Sequence, residues 1–205
     1  MHLGNWEISI VNGGSFAIDG GVMFGVVPKT LWSQVIAPDE LSRIRCAGHC
    51  LLARDGRHTV LVDTGYGGKY DLLDRRFYAM EPGEPLLESL AALKVAPEDV
   101  DTVVFSHLHF DHAGGAARYD DRRRLVPTFP KARHVVSRWE WEDAVHMAPE
   151  VQTAYNADNL LPLEQARLVE LIGGNEEVVP GLRARVTGGH TRGHMALMFE
   201  SNGDT

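Results

Sequence analysis

Residues 106–115, Ser-His-Leu-His-Phe-Asp-His-Ala-Gly-Gly, bring three imidazoles and a carboxylate into six consecutive positions: His107, His109, Asp111 and His112. Buried without partners, such groups would each be costly, and protonated imidazoles would repel one another. A bound cation removes both difficulties. His107 and His109 lie two residues apart at the end of a β-rich run, which puts both rings on one side of an extended backbone, where they can share one ion. Asp111 and His112 follow where the chain turns towards a helix, so they face a neighbouring position suited to a second ion. Gly114 and Gly115 allow close backbone packing at the bend.

The flanking sequence reads as α/β. Pro85 to Lys94 carries leucines at 86, 87, 90 and 93 with helical spacing, then comes the loop 96–99, then the strand-like Thr102-Val103-Val104-Phe105 that delivers the histidines. Upstream, Trp6–Val11 and Phe16–Ile18 read as strands broken at Asn12-Gly13-Gly14. The segment 21–32, interrupted by Pro28, reads as a loop over the core. Ile44–Ala53 and Thr59–Asp63 read as paired strands about the turn 54–57. Downstream, His134–Val136 is a short strand, Ser137 and Glu140 form a capping box for a helix through about His146, and 163–172 reads as an amphipathic helix. Leu182–Val186 and Met195–Glu200 complete the set of strands. Ser201-Asn202-Gly203-Asp204 then has the composition of a hairpin turn, so a further strand is expected, with residues 1–205 as one domain forming the N-terminal part of a longer one.

Composition narrows the function. The chain has 205 residues, 44% of them hydrophobic, enough for a real core, and 20 basic against 28 acidic residues give a net charge of −8, which opposes nucleic-acid binding. The one basic run, Arg122 to Arg124, follows Asp120 and Asp121 and reads as a solvated turn. No stretch approaches the roughly 18 apolar residues of a membrane span, and the first residues show no secretory pattern; a cytoplasmic protein is expected. Cys46 and Cys50 are too few for a disulfide framework and read as buried small side chains rather than a metal clip. No serine-nucleophile elbow, phosphate-cradling loop or dinucleotide-binding turn competes with the histidine cluster.

HLHFDH resembles the His-x-His-x-Asp-His motif of the metallo-β-lactamase superfamily, Asp63-Thr64-Gly65 resembles the Asp-Thr-Gly that precedes it there, and Gly189-His190-Thr191-Arg192-Gly193-His194 resembles its Gly-His-Thr-Pro-Gly-His segment. The resemblance implies an αββα sandwich with a dinuclear site, usually zinc, with manganese, iron or cobalt as alternatives. It implies that His107, His109 and His190 hold the first metal and that Asp111 and His112 belong to the second. An aspartate bridging both ions and a last histidine have no match, and Asp204, in the expected turn, is a poor one, so the second site is incomplete. Arg192 stands where proline is usual, which adds a cation near the pocket. Asp63 reads as a carboxylate orienting a ligand histidine through its ring N–H, and His194 as a packing or hydrogen-bonding partner of the ligands.

The chemistry implied is hydrolysis by a metal-bound hydroxide, zinc lowering the pKa of its water to about 7, with Asp111 carrying the proton to the leaving group. The stretches 19–29 and 61–67 resemble the quorum-quenching lactonase and methyl-parathion-hydrolase-like branch, which implies a lactone or ester of a small molecule as substrate. Met23, Phe24, Trp32, Phe77, Tyr78 and Met80 are candidates for an apolar pocket, for plain core or for the contact of a homodimer. Thioester hydrolysis of the glyoxalase II type and β-lactam hydrolysis would use the same ligands. A nuclease of the superfamily is disfavoured by the acidic balance. A mononuclear or inactive metal-binding module is the alternative if 205 residues are the whole protein.

Overall fold

Val-Leu-Val at 60–62, Val-Val at 103–104 and Val-Val at 135–136 have no polar face, as expected of central strands covered on both sides. The computed structural model, which describes residues 1–146 and 154–201, shows why. In chain order the elements are β1 (His2–Leu3), β2 (Trp6–Asp19), α1 (Gly20–Phe24), α2 (Lys29–Trp32), β3 (Arg43–Arg54), β4 (Thr59–Val62), α3 (Leu72–Phe77), α4 (Pro85–Ala92), β5 (Thr102–Val104), α5 (Phe110–Ala113), β6 (Ala117–Tyr119), β7 (Leu125–Pro127), β8 (Arg133–Ser137), α6 (Arg138–His146), α7 (Ala157–Gln165), β9 (Val169–Ile172), β10 (Asn175–Val179), β11 (Leu182–Val186) and β12 (Met195–Phe199). A seven-stranded sheet in the order β1-β2-β3-β4-β5-β8-β9 is antiparallel from β1 to β4 and parallel from β4 to β9. A second, antiparallel sheet runs β10-β11-β12.

Alternation within the large sheet builds two cores. Leu52, Leu61, Val103 and Val136 point to one side, where they meet Leu86 and Leu90 of α4 and Leu160 and Leu163 of α7. Their neighbours Ala53, Val60, Val104 and Val135 point to the other, where they meet Val178, Leu182, Ala184 and Met195 of the small sheet with Trp6 and Ile8. The described residues therefore form a helical layer, a mixed sheet and a second sheet, in agreement with the expected α/β sandwich.

Several local expectations need correction. β2 runs unbroken through Asn12-Gly13-Gly14, which form a bulge between Asn12 and Ser15 rather than a break. Segment 21–32 is not a loop lying over the core: it holds α1 and α2, with Val22, Met23, Val26, Val27 and Leu31 exposed and Trp32 buried. The helix expected over 163–172 starts earlier, at Ala157, where the Asn156 side chain accepts from Asp158 N–H at 2.9 Å. It ends at Gln165, Arg167 takes a left-handed φ of 56°, and 169–172 becomes the edge strand β9. The leucines at 163 and 171 thus belong to different elements. Ser137 makes no capping box, since its Oγ has no hydrogen-bond partner and Glu140 is engaged elsewhere. Cys46 and Cys50 are free, Cys50 buried, and Asp120 accepts from the Arg122 and Arg124 N–H groups and pairs with the Arg124 guanidinium in an exposed turn. Most of the expected turn at 201–204, Asp204 included, lies outside the described residues.

Candidate metal centre

The parallel half of the sheet determines where the site lies. β4 and β5 end side by side, so Asp63 after β4 and Ser106-His107 after β5 emerge at the same edge, the usual position for ligand sites in such sheets. Asp63 takes a left-handed φ of 59°, which an aspartate tolerates, and its N–H continues the ladder to Val104 O at 3.0 Å. Gly65 follows at φ 63°, where a side chain would also strike Gly13 O at 2.1 Å. A Cβ on Gly115 would come equally close to Thr64 O, so the glycines after the histidine cluster are what let the segment after β4 lie against it.

His107, His109 and His190 form a group whose ligand atoms lie within 4.8 Å of one another, a three-imidazole set and the only such cluster of histidine, cysteine or carboxylate ligands found among the described residues. Ring centroids are 4.6 Å apart for His107 and His109, and 4.8 Å from His190 to each. His107 is buried with its Nε2 lacking any hydrogen-bond partner, while His109 is half-buried and His190 exposed. Burial, followed by the surrounding histidines, pushes the His107 pKa down to about 2. His109 is lowered too, by burial and then by His190. These rings are therefore neutral at pH 7, the state in which imidazole binds a metal.

Asp111 and His112 stand beside this group, His112 4.0 Å from the His107 ring, with Asp111 Oδ2 3.5 Å from His112 Nε2. Asp63 holds the arrangement from behind. Its Oδ1 accepts from Ser106 N–H at 2.7 Å, and its Oδ2 accepts from Ser106 Oγ–H at 2.7 Å and from His112 Nδ1 at 2.8 Å. Because the Ser106 hydroxyl spends its proton on Asp63, the 3.1 Å contact with His107 Nδ1 requires that ring nitrogen to be the donor. In the neutral rings, one carboxylate thus places the hydrogen of both His107 and His112 on Nδ1 and leaves the Nε2 lone pairs free. Burial alone would lower His112, but its hydrogen bond to Asp63 and the charges of Asp63 and Asp111 outweigh it and raise its pKa. Thr64 adds its N–H and hydroxyl to His112 O at 2.6 and 2.9 Å.

His194 lies at the margin, its Nδ1 2.8 Å from Thr187 Oγ1 and its ring 5.5 Å from that of His107. Arg192, expected to add a cation near the pocket, instead turns onto α6, where it pairs with Asp143 at 2.7 Å and Glu142 at 3.1 Å. Two residues line the site that the sequence reading did not place there, Tyr155 with no role and Glu140 as a helix-capping residue. Tyr155 sets its ring 5.5 Å from that of His109 and gives its hydroxyl proton to Glu140. Glu140, fully buried, faces the site from α6. Neither was legible locally, since each meets its partners only through the chain's long-range path.

Beside His109 opens a recess of about 260 Å³ lined by Tyr70, Tyr78, Phe110 and Tyr155 with Asp74 and Ala154–Ala157. Of the earlier aromatic candidates only Tyr78 borders it. Trp32 is buried elsewhere with Phe24 stacked on it, Met80 is buried in the cluster with Phe16 and Tyr66 against which Tyr70, Tyr78 and Phe110 pack, and Met23 and Phe77 are exposed.

Comparison with known proteins agrees with this architecture. The model of the metallo-beta-lactamase superfamily matches residues 43–205. An N-acyl homoserine lactonase of a Bacillus species is 30% identical over 179 residues, 82% of this chain and 64% of its own; that of Bacillus thuringiensis is 29% identical over 162 residues, 74% of this chain and 58% of its own. The chain therefore spans less than two thirds of the length of these relatives. Among solved structures, a probable metal-dependent hydrolase from Staphylococcus aureus superposes with a TM-score of 0.88 at 30% identity, covering 98% of this chain and 71% of that one. The dizinc quorum-quenching lactonase AidC, at 21% identity and a TM-score of 0.75, covers all of this chain and 70% of its own, and shares the fold. With the family match spanning most of the sequence and the fold reproduced in solved relatives, the chain belongs to the metallo-beta-lactamase superfamily.

Proposed function

We propose that this protein is a metal-dependent hydrolase that opens the ring of small lactones, with N-acyl homoserine lactones as the first substrates to try. The observation that carries the reading is the buried, partnerless His107 Nε2 in a cluster of three imidazoles, an arrangement that a divalent ion would satisfy. The donor set fits zinc: three borderline-soft nitrogens from His107, His109 and His190, with Asp111 and His112 offering an oxygen and a nitrogen to a neighbouring ion. Zinc so held supplies Lewis acidity and activates water at neutral pH.

The remaining steps belong to the chain. Asp111, partly exposed beside the cluster, is placed to take a proton from the attacking water and return it to the alkoxide that leaves when the ring opens. Asp63 and Ser106 keep the imidazole hydrogens off the ligand atoms. The aromatic recess beside His109 suits an acyl chain, and Tyr155 serves there through its ring, because its hydroxyl is committed to Glu140. The named activity of the lactonases it resembles supports this choice of substrate. The net charge of −8 supports a small molecule over nucleic acid. No helix among the described residues is long and apolar enough to cross a membrane, and the two free thiols are in keeping with a cytoplasmic setting. The seven-stranded sheet, drawn from His2 to Ile172 with the small sheet packed on it, supports reading residues 1–205 as one domain.

The test is lactone turnover after metal removal and zinc restoration, with lactone, thioester, β-lactam and phosphotriester substrates side by side. Lactone hydrolysis that depends on metal and disappears in His109→Ala is expected. Undiminished turnover in that variant would remove the proposed site.

A further inference from the structure

Glu140 is a carboxylate with no exposed surface, an expensive group to bury. Its hydrogen bonds reach three separate parts of the chain. Oε1 accepts from the Leu108 N–H at 3.0 Å, between His107 and His109, and from the Tyr155 hydroxyl at 3.0 Å, whose ring lies against His109. Oε2 accepts from the Thr191 hydroxyl at 2.5 Å, next to His190. The partners are 32, 15 and 51 residues away in sequence. The loop bearing His190 is pressed against the same turn of α6, since a Cβ on Gly193 would lie 2.3 Å from Glu140 N. Arg192 fastens that loop from outside through Asp143 and Glu142.

We propose that Glu140 is a positioning residue that ties the His107–His109 segment to the His190 loop and so sets the spacing of the three imidazoles for a metal. The inference rests on the metal-centre reading above. Two properties distinguish this from a plain structural crosslink. All three donors lie on or beside the segments that carry the imidazoles, so a change at Glu140 shifts ligand geometry before it shifts the core. The buried negative charge also has no cationic partner among its hydrogen-bond donors, and a cation on the histidines would provide one at short range. Arg192 then has a positional explanation too: where a proline would stiffen the loop internally, here ion pairs to α6 stiffen it from outside.

The test compares Glu140→Gln and Thr191→Val with the unaltered chain, reading zinc affinity by chelator competition and the visible spectrum of the cobalt-substituted protein, alongside the melting temperature without metal. In Glu140→Gln the amide oxygen keeps the Leu108 and Tyr155 bonds and the Thr191 hydroxyl turns to accept, so the shape survives and the charge goes. In Thr191→Val the charge stays and the link to His190 goes. Each is expected to weaken zinc binding about tenfold, the lower end for partners of metal ligands, with an altered cobalt spectrum; the melting temperature stays nearly unchanged in Glu140→Gln and falls in Thr191→Val, where Oε2 loses its donor. Wild-type zinc affinity and cobalt spectrum in both variants would overturn the proposal, whatever happened to stability. Absence of zinc binding by the unaltered chain would be recognisable as failure of the metal reading itself, and the inference would fall with it.

Discussion

Asp63→Asn should damage metal binding far more than folding, and Asp63→Ala should show the reverse balance. In the asparagine variant the amide oxygen can still accept from Ser106 N–H, but the amide nitrogen then faces Ser106 Oγ and His112 Nδ1, both of which now serve Asp63 as donors. To meet a donor, His112 must present its Nδ1 lone pair and carry its hydrogen on Nε2. The Ser106 hydroxyl, turned away from the amide, donates to His107 Nδ1, which moves that ring's hydrogen to Nε2 as well. Binding a metal would require breaking both new hydrogen bonds at roughly 1–1.5 kcal/mol each, a total of about 2–3 kcal/mol. At about 1.4 kcal/mol per factor of ten, zinc affinity falls about 30- to 140-fold. Folding of the metal-free protein loses about 1 kcal/mol, since the network stays hydrogen-bonded. Alanine instead leaves Ser106 N–H unpaired in a site 6% exposed at Asp63 and removes three charge-assisted bonds, which costs about 3 kcal/mol of stability. For a chain of this size that lowers the melting temperature by about 9 °C. Calorimetric melting without metal and chelator-competition zinc titrations measure the two quantities separately. An Asp63→Asn protein that binds zinc within threefold of the unaltered chain would refute the tautomer argument.

Two further residues test the scaffold. His134 is fully buried beside Phe105, neither ring nitrogen has a hydrogen-bond partner, and burial, outweighing the pull of the Ala132 carbonyl, lowers its pKa to about 4. The unfolded chain takes up this proton near pH 6.5 and the folded chain only near 4. The stability contribution is therefore complete above about 6.5 and lost as pH falls towards 4, amounting to about 3 kcal/mol. His134→Phe should raise the melting temperature at pH 5 and flatten its fall between pH 6.5 and 4; an unchanged slope would contradict this. Lys69 donates to the carbonyls of Gly114 and Ala117, the latter at 2.8 Å, and pins the turn that follows the histidine cluster. Lys69→Met should cost about 2 kcal/mol in denaturant unfolding, and a neutral effect would show that the turn holds without it.

The parts of this molecule that could be read from sequence are those whose physics is local. Val103-Val104 and Val135-Val136 identify central strands because a two-residue period with both faces apolar leaves few alternatives, and His107 to His112 identify a cation site because four ligands lie within one turn of chain. His190 is 78 residues beyond His112, and only a resemblance to a family motif connected it to them. Glu140 shows where reading along the chain stops. Its place three residues after Ser137 satisfies a capping pattern, yet a carboxylate has one set of lone pairs, and the Leu108, Tyr155 and Thr191 donors take them. The same limit explains 163–172. Leucine spacing suggests one helix, but Arg167 adopts a left-handed turn and β8 offers 169–172 a parallel edge to pair with, with His134 opposite Val169. In both cases a pattern sufficient for local structure competes with partners that exist only once the sheet has formed. That competition is strongest at the edge where β4 and β5 end, and there the ligand histidines, Asp63 and Glu140 all converge.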